Sequence, residues 1–388
     1  MSSPGFHALP PAKPDPIFAI AGAAKAAGPR AINGTIGVYM DEEGRTALFP
    51  SVKAALEDVT KTLTHRSYSY PALLGLPEYR QSVTSLIFDD KAPMTASIAS
   101  TGGTGAVALN LRLARLMDPE MPLILPMPAW ANHPPLCRAA GFTVREVPCL
   151  HNGKPTVADI AVALKKEQHP CTVLLQVGCH NPAGLDFSDA QWIELRDLME
   201  RYGSVAILDL AYQGFKDVPK SDAAPVRMMA ASGVPTLVAW SASKNHSLYS
   251  ERTGMALAIV KDEAEKAQVE GHYSTITRGI HSAAASFGQS VVAAVQMSHK
   301  DAWLADMQAA RTMLARKRQA LFQALPEDMR ASVTGHGMFA MLPLTATEID
   351  RLKVDHLVFL TGDGRINIAG IPLARIPELG EKILKARD

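Results

Sequence analysis

Thr236-Leu237-Val238-Ala239-Trp240-Ser241-Ala242-Ser243-Lys244-Asn245, followed by Glu251-Arg252-Thr253-Gly254, decides how this chain is read. The first five residues are β-branched or apolar and predict a buried strand. The end of that strand delivers two serine hydroxyls, a lysine and an arginine to one place. A lysine beside a core strand is costly unless its charge is solvated, paired or used chemically. One bland alternative is a lysine that snorkels from the strand end to water. The chemical alternative is an amine that bonds covalently to a carbonyl group, with the hydroxyls and the guanidinium gathered around an anion.

Outward from this stretch the chain alternates helix and strand. Residues 191–202 carry Trp192, Leu195, Leu198, Met199 and Tyr202 at helical spacing, and Gly203 follows as a C-cap. Apolar runs at 123–125, 172–176, 205–208, 237–240 and 256–260 have strand length. This alternation predicts an α/β protein with a mostly parallel sheet, and ligands in such sheets bind beyond the carboxyl ends of the strands. A short helix is expected at 17–27, a long amphipathic one at 303–325 and a last one at 377–385. Between the last two lie strand-like pieces at 338–342 and 366–369. The expected division is a large domain over 46–297 and a smaller α/β domain formed by 1–45, with the N-terminal arm, and 298–388.

The bulk numbers suit a soluble globular protein. The chain has 388 residues, 47% of them hydrophobic and 20% charged. Lys plus Arg (39) nearly cancels Asp plus Glu (38), so neither nucleic acid nor a membrane surface is implied as partner. Cys137, Cys149, Cys171 and Cys179 show no C-x-x-C or zinc spacing, so no metal is expected and the thiols read as reduced and buried. The Pro-rich first 16 residues lack a signal-peptide pattern, and no run of eighteen apolar residues occurs, so a cytoplasmic protein is expected.

Other polar groups cluster at the ends of predicted strands. Asp209 closes the run 205–208, where burial alone disfavours its charge and a cationic or N–H partner would keep it ionised. His180-Asn181-Pro182-Ala183-Gly184 follows the strand at 172–176 as a turn. Ser100-Thr101-Gly102-Gly103-Thr104-Gly105 precedes an apolar helix at 106–116, where glycines let backbone N–H groups approach a phosphate.

Segment 241–254 resembles the lysine motif of the class I (aspartate and aromatic) aminotransferases, S-x-S-K-N-x-x-L-Y-x-E-R-x-G, with every fixed position filled. The resemblance extends, in order, from about residue 17 to residue 370. Asp209-Leu210-Ala211-Tyr212-Gln213-Gly214 matches D-x-A-Y-Q-G, and Gly102-Gly103-Thr104-Gly105-Ala106 matches G-G-T-G-A. Pro128-Ala129-Trp130-Ala131-Asn132-His133 matches P-x-W-x-N-H, and Gly364-Arg365-Ile366-Asn367-Ile368-Ala369-Gly370 matches G-R-x-N-V-A-G. Residues 33–39 look like the substrate-side segment that contains Gly37.

The family implies a fold-type I enzyme using pyridoxal 5′-phosphate (PLP), a homodimer that shares its active sites and acts on amino acids and 2-oxo acids. By that resemblance Lys244 carries PLP as an aldimine and shuttles the proton. Asp209 pairs with the ring nitrogen, and Tyr212 and Asn181 reach the 3′ oxygen. Trp130 stacks on the ring. Gly103, Thr104, Ser241 and Arg252 hold the phosphate, with Tyr70 from the neighbouring subunit. Arg365 forks onto the α-carboxylate, and Arg278, again from the neighbour, reads a distal carboxylate such as that of aspartate or 2-oxoglutarate. Gly37, Trp130 and Asn181 complete the substrate set.

Three departures surround the substrate. The family's Y-S-N-P-P is His281-Ser282-Ala283-Ala284-Ala285 here, its G-M-F-S-F ends in Met341, and His246-Ser247 replaces Phe-Gly. A β-lyase or decarboxylase on the same fold, or a non-catalytic PLP or amino-acid sensor domain, remains open at this level.

Overall fold

The computed structural model describes residues 5–11, 15–64, 67, 69–89, 92–167 and 169–388; within the Pro-rich arm, 1–4 and 12–14 lie outside them. A seven-stranded sheet runs through the chain. Its spatial order is Thr95–Thr101, Thr253–Ile259, Thr236–Ser241, Val205–Leu210, Thr172–Gln176, Leu123–Met127, Val144–Pro148. The last five strands in that order pair parallel, whereas Thr253–Ile259 is antiparallel to both of its neighbours. The architecture is therefore α/β with a mostly parallel central sheet.

Both faces of the sheet are covered, which explains the unbroken apolar runs. Along Val205–Leu210, Val205 and Ile207 enter one hydrophobic cluster while Ala206, Leu208 and Leu210 enter the other. Along Thr236–Ser241, Leu237 and Ala239 oppose Val238 and Trp240 in the same way. Each strand thus contributes to two cores with a period of two residues.

A third cluster combines Ile32 with Leu321, Leu342, Val358, Ile366 and Leu379. It surrounds two small strand pairs, Ile32–Asn33 parallel to Val358–Phe359 and Phe339–Met341 antiparallel to Arg365–Asn367. The helix Lys300–Ala324 joins the two regions. Trp303, Met307, Ala310 and Leu314 pack into a large-sheet core, while Leu321 packs into the third cluster.

Most predicted elements appear within a few residues of their expected limits. The helix Asp189–Arg201 begins at a capping box of Ser188 and Gln191, and the last helix covers Ile376–Arg387. Of the elements that were missed or shifted, two lie at the site. The strand Thr95–Thr101 is built from Ala, Ser and Thr around one Ile, so it lacked an apolar signal. The helix expected from 106 instead covers Gly102–Met117, so the glycines form its first turn rather than a loop before it. Among the described residues, no helix is long and apolar enough to cross a membrane.

Candidate active site

The sheet register brings the polar strand ends together. Gln176, Asp209 and Ala239 are consecutive cross-strand partners, and Ser241 pairs with Gly254, which in turn pairs with Ser100. Immediately beyond Ser241 the chain turns. The Ala242 N–H donates to Thr253 O (3.0 Å), His246 N–H to Ala242 O (3.2 Å) and Ser243 N–H to Ser241 Oγ (3.2 Å). Lys244 leaves this turn with Nζ 5.1 Å from the centre of the Tyr212 ring. Burial pushes its pKa down to about 8; Asp209 opposes that shift and Arg252 reinforces it.

Asp209 is 4% exposed, and its carboxylate accepts from His133 Nε2 at 3.0 Å. Trp130 meets the His133 ring edge-on, with 5.3 Å between centroids, so the tryptophan and the histidine are packed as one unit beside the carboxylate. Tyr212 is also buried, and its hydroxyl accepts from Asn181 Nδ2 at 3.4 Å. Burial, reinforced by the charge of Asp209, pushes the Tyr212 phenol far above its ordinary value.

The first turn of the Gly102–Met117 helix faces the arginine of the motif. Gly102 has φ of 69°, and a Cβ there would lie 2.6 Å from Arg252 Nη2. A Cβ on Gly103 would lie 3.0 Å from the Cβ of Ser241. Arg252 Nη1 donates to Ser243 Oγ (3.2 Å) and Tyr249 O (3.3 Å). Thr101 gives this helix no side-chain cap, so its first backbone N–H groups are left for an anion, which the helix dipole also favours. Serine hydroxyls, a guanidinium and bare backbone N–H groups make a donor set suited to a phosphate.

A second cationic group lies toward the small strand pairs. Arg365 Nη2 donates to Thr35 O (2.6 Å) and Nη1 to Asn181 Oδ1 (3.4 Å), while Nε has no partner among the described residues. The guanidinium lies 5.1 Å from the centre of the Phe339 ring, and that ring meets Tyr212 edge-on at 6.0 Å. Burial lowers the Arg365 pKa. Gly37 also approaches Phe339 closely, since a Cβ there would lie 2.9 Å from the ring's Cζ. Behind the ring, buried Arg318 donates to Val333 O (3.1 Å), His336 O (2.7 Å), Gly337 O (3.0 Å) and Phe339 O, fixing the segment that carries it.

The model of one protein family, aminotransferase class I and II, matches residues 30–383. The chain belongs to that family. It is 34% identical over 97% of its length to the aromatic-amino-acid aminotransferase of Paracoccus denitrificans, covering 98% of that protein. It is 31% identical to the aspartate aminotransferase of Pseudomonas aeruginosa, over 98% of this chain and 99% of the relative. A crystal structure of the Burkholderia pseudomallei aromatic-amino-acid aminotransferase, covalently bound to pyridoxal phosphate, superposes over 100% of both chains with a TM-score of 0.94 at 29% identity.

In this aminotransferase, Gly103, Thr104, Trp130, Asp209, Tyr212, Ser241, Lys244 and Arg252 line a single cavity. Asn181 reaches it through Tyr212, and Arg365 and Gly37 adjoin it through Asn181 and Phe339. Two expected residues lie elsewhere in the single chain. Tyr70 is 99% exposed, and Arg278 is exposed at the end of the helix Glu263–Arg278, donating to Ser282 Oγ at 3.2 Å. Sequence reading passed over His133, Gln176, Thr35 and Phe339. His133 stood inside a matched motif without a role, and Phe339 in a matched segment. The importance of Gln176 and of the Thr35 carbonyl depends on strand register and long-range contact, which one sequence does not display.

Proposed function

We propose that this protein is a PLP-dependent aminotransferase that moves an amino group between L-amino acids, dicarboxylic and aromatic, and 2-oxo acids including 2-oxoglutarate. The observation that carries this reading is the Lys244 amine, desolvated and facing Asp209 and Tyr212, in the cavity that begins at the glycine-rich helix start.

The residues present fit the cofactor. Lys244 would hold it covalently through Nζ, and Asp209, oriented by His133, would accept the ring N–H. Tyr212 and Asn181 would reach the 3′ oxygen, and Trp130 would cover the ring. Gly103, Thr104, Ser241, Ser243 and Arg252 would take the phosphate. When bound, PLP supplies an aldehyde that bonds to amines and a protonated ring that accepts the electrons of a broken Cα–H bond.

The rest of the work falls to the chain. Lys244 Nζ would act on the substrate Cα proton, as general base in taking it and as general acid in giving it up. A pKa near 8 leaves an appreciable unprotonated fraction at neutral pH. Arg365 receives the α-carboxylate, using the planar fork whose Nε is unpartnered. Phe339 covers that guanidinium, its ring centre 5.1 Å from Cζ.

The assembly is a homodimer in this reading, with Tyr70 and Arg278 contributed to the partner's site; their exposure in the single chain supports it. The large domain, 46–297, then carries the cofactor, and the smaller one, 1–45 and 298–388, carries Arg365; the separate third core supports this division. A panel of single L-amino acids supplied with 2-oxoglutarate tests the function. Glutamate should form from both aspartate and phenylalanine. Absence of glutamate with every donor, in protein that shows bound PLP, would refute it.

A further inference from the structure

Gln176 is the last residue of the strand Thr172–Gln176 and the direct cross-strand partner of Asp209. Its side chain borders the cavity that contains Lys244, Asp209 and Tyr212. Its amide orientation is fixed by chemistry. The Asn181 backbone N–H can only donate, so the Gln176 oxygen must face it, at 2.9 Å, which turns Nε2 away from that bond.

Asn181 is itself doubly engaged. Its Nδ2 donates to Tyr212 OH and its Oδ1 accepts from Arg365 Nη1, both at 3.4 Å. One amide therefore links the hydroxyl beside Lys244 to the guanidinium near Phe339, and both bonds are long enough that a small displacement would break them. The turn 177–184 that carries Asn181 has left-handed backbone at Gly178 (φ 71°), Cys179 (φ 50°) and Gly184 (φ 66°), and the Gln176 bond is the contact that holds the Asn181 N–H itself.

We propose that Gln176 is a positioning residue for transamination: its carbonyl oxygen holds Asn181 where a single side chain serves Tyr212 and Arg365 together. The proposal rests on the functional reading above for the identity of the substrate group, an α-carboxylate at Arg365. Gln176 acts through Asn181, so its loss weakens carboxylate binding without removing any group that contacts the carboxylate.

Two variants separate this role from general packing. Gln176→Met is close in size and has no acceptor of comparable strength, whereas Gln176→Glu keeps an oxygen for the Asn181 N–H. In the PLP-loaded protein the probe is 3-phenylpropionate, a carboxylate without an amine, followed by visible absorbance. Gln176→Met should weaken it about ten-fold, as expected for a lost hydrogen-bond tether, while Gln176→Glu, whose carboxylate repels an anionic probe, is read only by Asn181 amide exchange, which should stay at the wild-type rate. In the cofactor-free protein, amide hydrogen exchange at Asn181 should quicken about ten-fold in Gln176→Met alone.

Unchanged exchange and unchanged affinity in Gln176→Met would overturn the proposal. So would an Asn181 amide exchange that quickens about ten-fold in Gln176→Glu, which keeps the acceptor; this result remains decisive if the methionine variant does not fold. A wild-type protein with no PLP absorbance would defeat the cofactor reading instead, and the exchange measurement would still decide the role of Gln176.

Discussion

Asp209→Asn is the substitution that isolates electrostatics at this site. The amide has nearly the shape of the carboxylate, so the fold of the strand Val205–Leu210 should survive. What is lost is the charge, 4% exposed, that accepts from His133 Nε2 at 3.0 Å and counteracts the desolvation of Lys244. Breaking a buried charged pair by neutralising one member costs about 3–5 kcal/mol. If that loss falls on the transition state, at about 1.4 kcal/mol per factor of ten, kcat/KM should drop by roughly 10²–10⁴. The assay is the rate at which aspartate or phenylalanine converts the PLP-loaded protein, with the melting temperature as a control for folding. Asp209→Glu, which keeps the charge at a displaced position, should recover part of the loss. An Asp209→Asn enzyme within ten-fold of wild type would refute the assignment of Asp209 as partner of the cofactor ring.

Three further outcomes follow from named contacts. The Lys244 pKa is lowered from 10.5 to about 8 in the cofactor-free fold. Between those values the unfolded chain binds more protons at this residue than the folded one, so its contribution to stability rises with pH. Cofactor-free wild type should therefore gain stability relative to Lys244→Met from about pH 8 toward 10.5, and a pH-independent difference in chemical denaturation would contradict it. Gly102→Ala places a methyl group at φ of 69° and 2.6 Å from Arg252 Nη2, so PLP affinity by absorbance titration should fall about ten-fold or more; unchanged affinity would remove the phosphate from that helix start. Arg278→Leu should lower kcat/KM for aspartate roughly 10²-fold and for phenylalanine far less, and equal losses would make Arg278 structural.

Much of the site was legible because its residues sit at the ends of apolar runs that only a doubly covered sheet explains. Ser241, Lys244 and Arg252 followed one such run and Asp209 and Asn181 followed two others, while the matched motifs added Tyr212, Trp130 and Arg365. What escaped depends on three-dimensional register. Gln176 gains its place by lying beside Asp209, which no local pattern encodes. The strand Thr95–Thr101 was invisible because small residues suffice between the antiparallel strand Thr253–Ile259 and the packed helix Gly102–Met117. The Arg318 clamp on Val333, His336, Gly337 and Phe339 was equally hidden, since its acceptors are all backbone carbonyls. Tyr70 and Arg278 take their proposed meaning from a second copy of the chain.

The most direct test of the account is covalent attachment. The purified, PLP-loaded protein is reduced with borohydride, digested and mapped by mass spectrometry. The account predicts one phosphopyridoxyl group, on Lys244, with the visible band lost on reduction and absent in Lys244→Ala. Attachment at another lysine, or no attachment in protein that binds PLP, would contradict it.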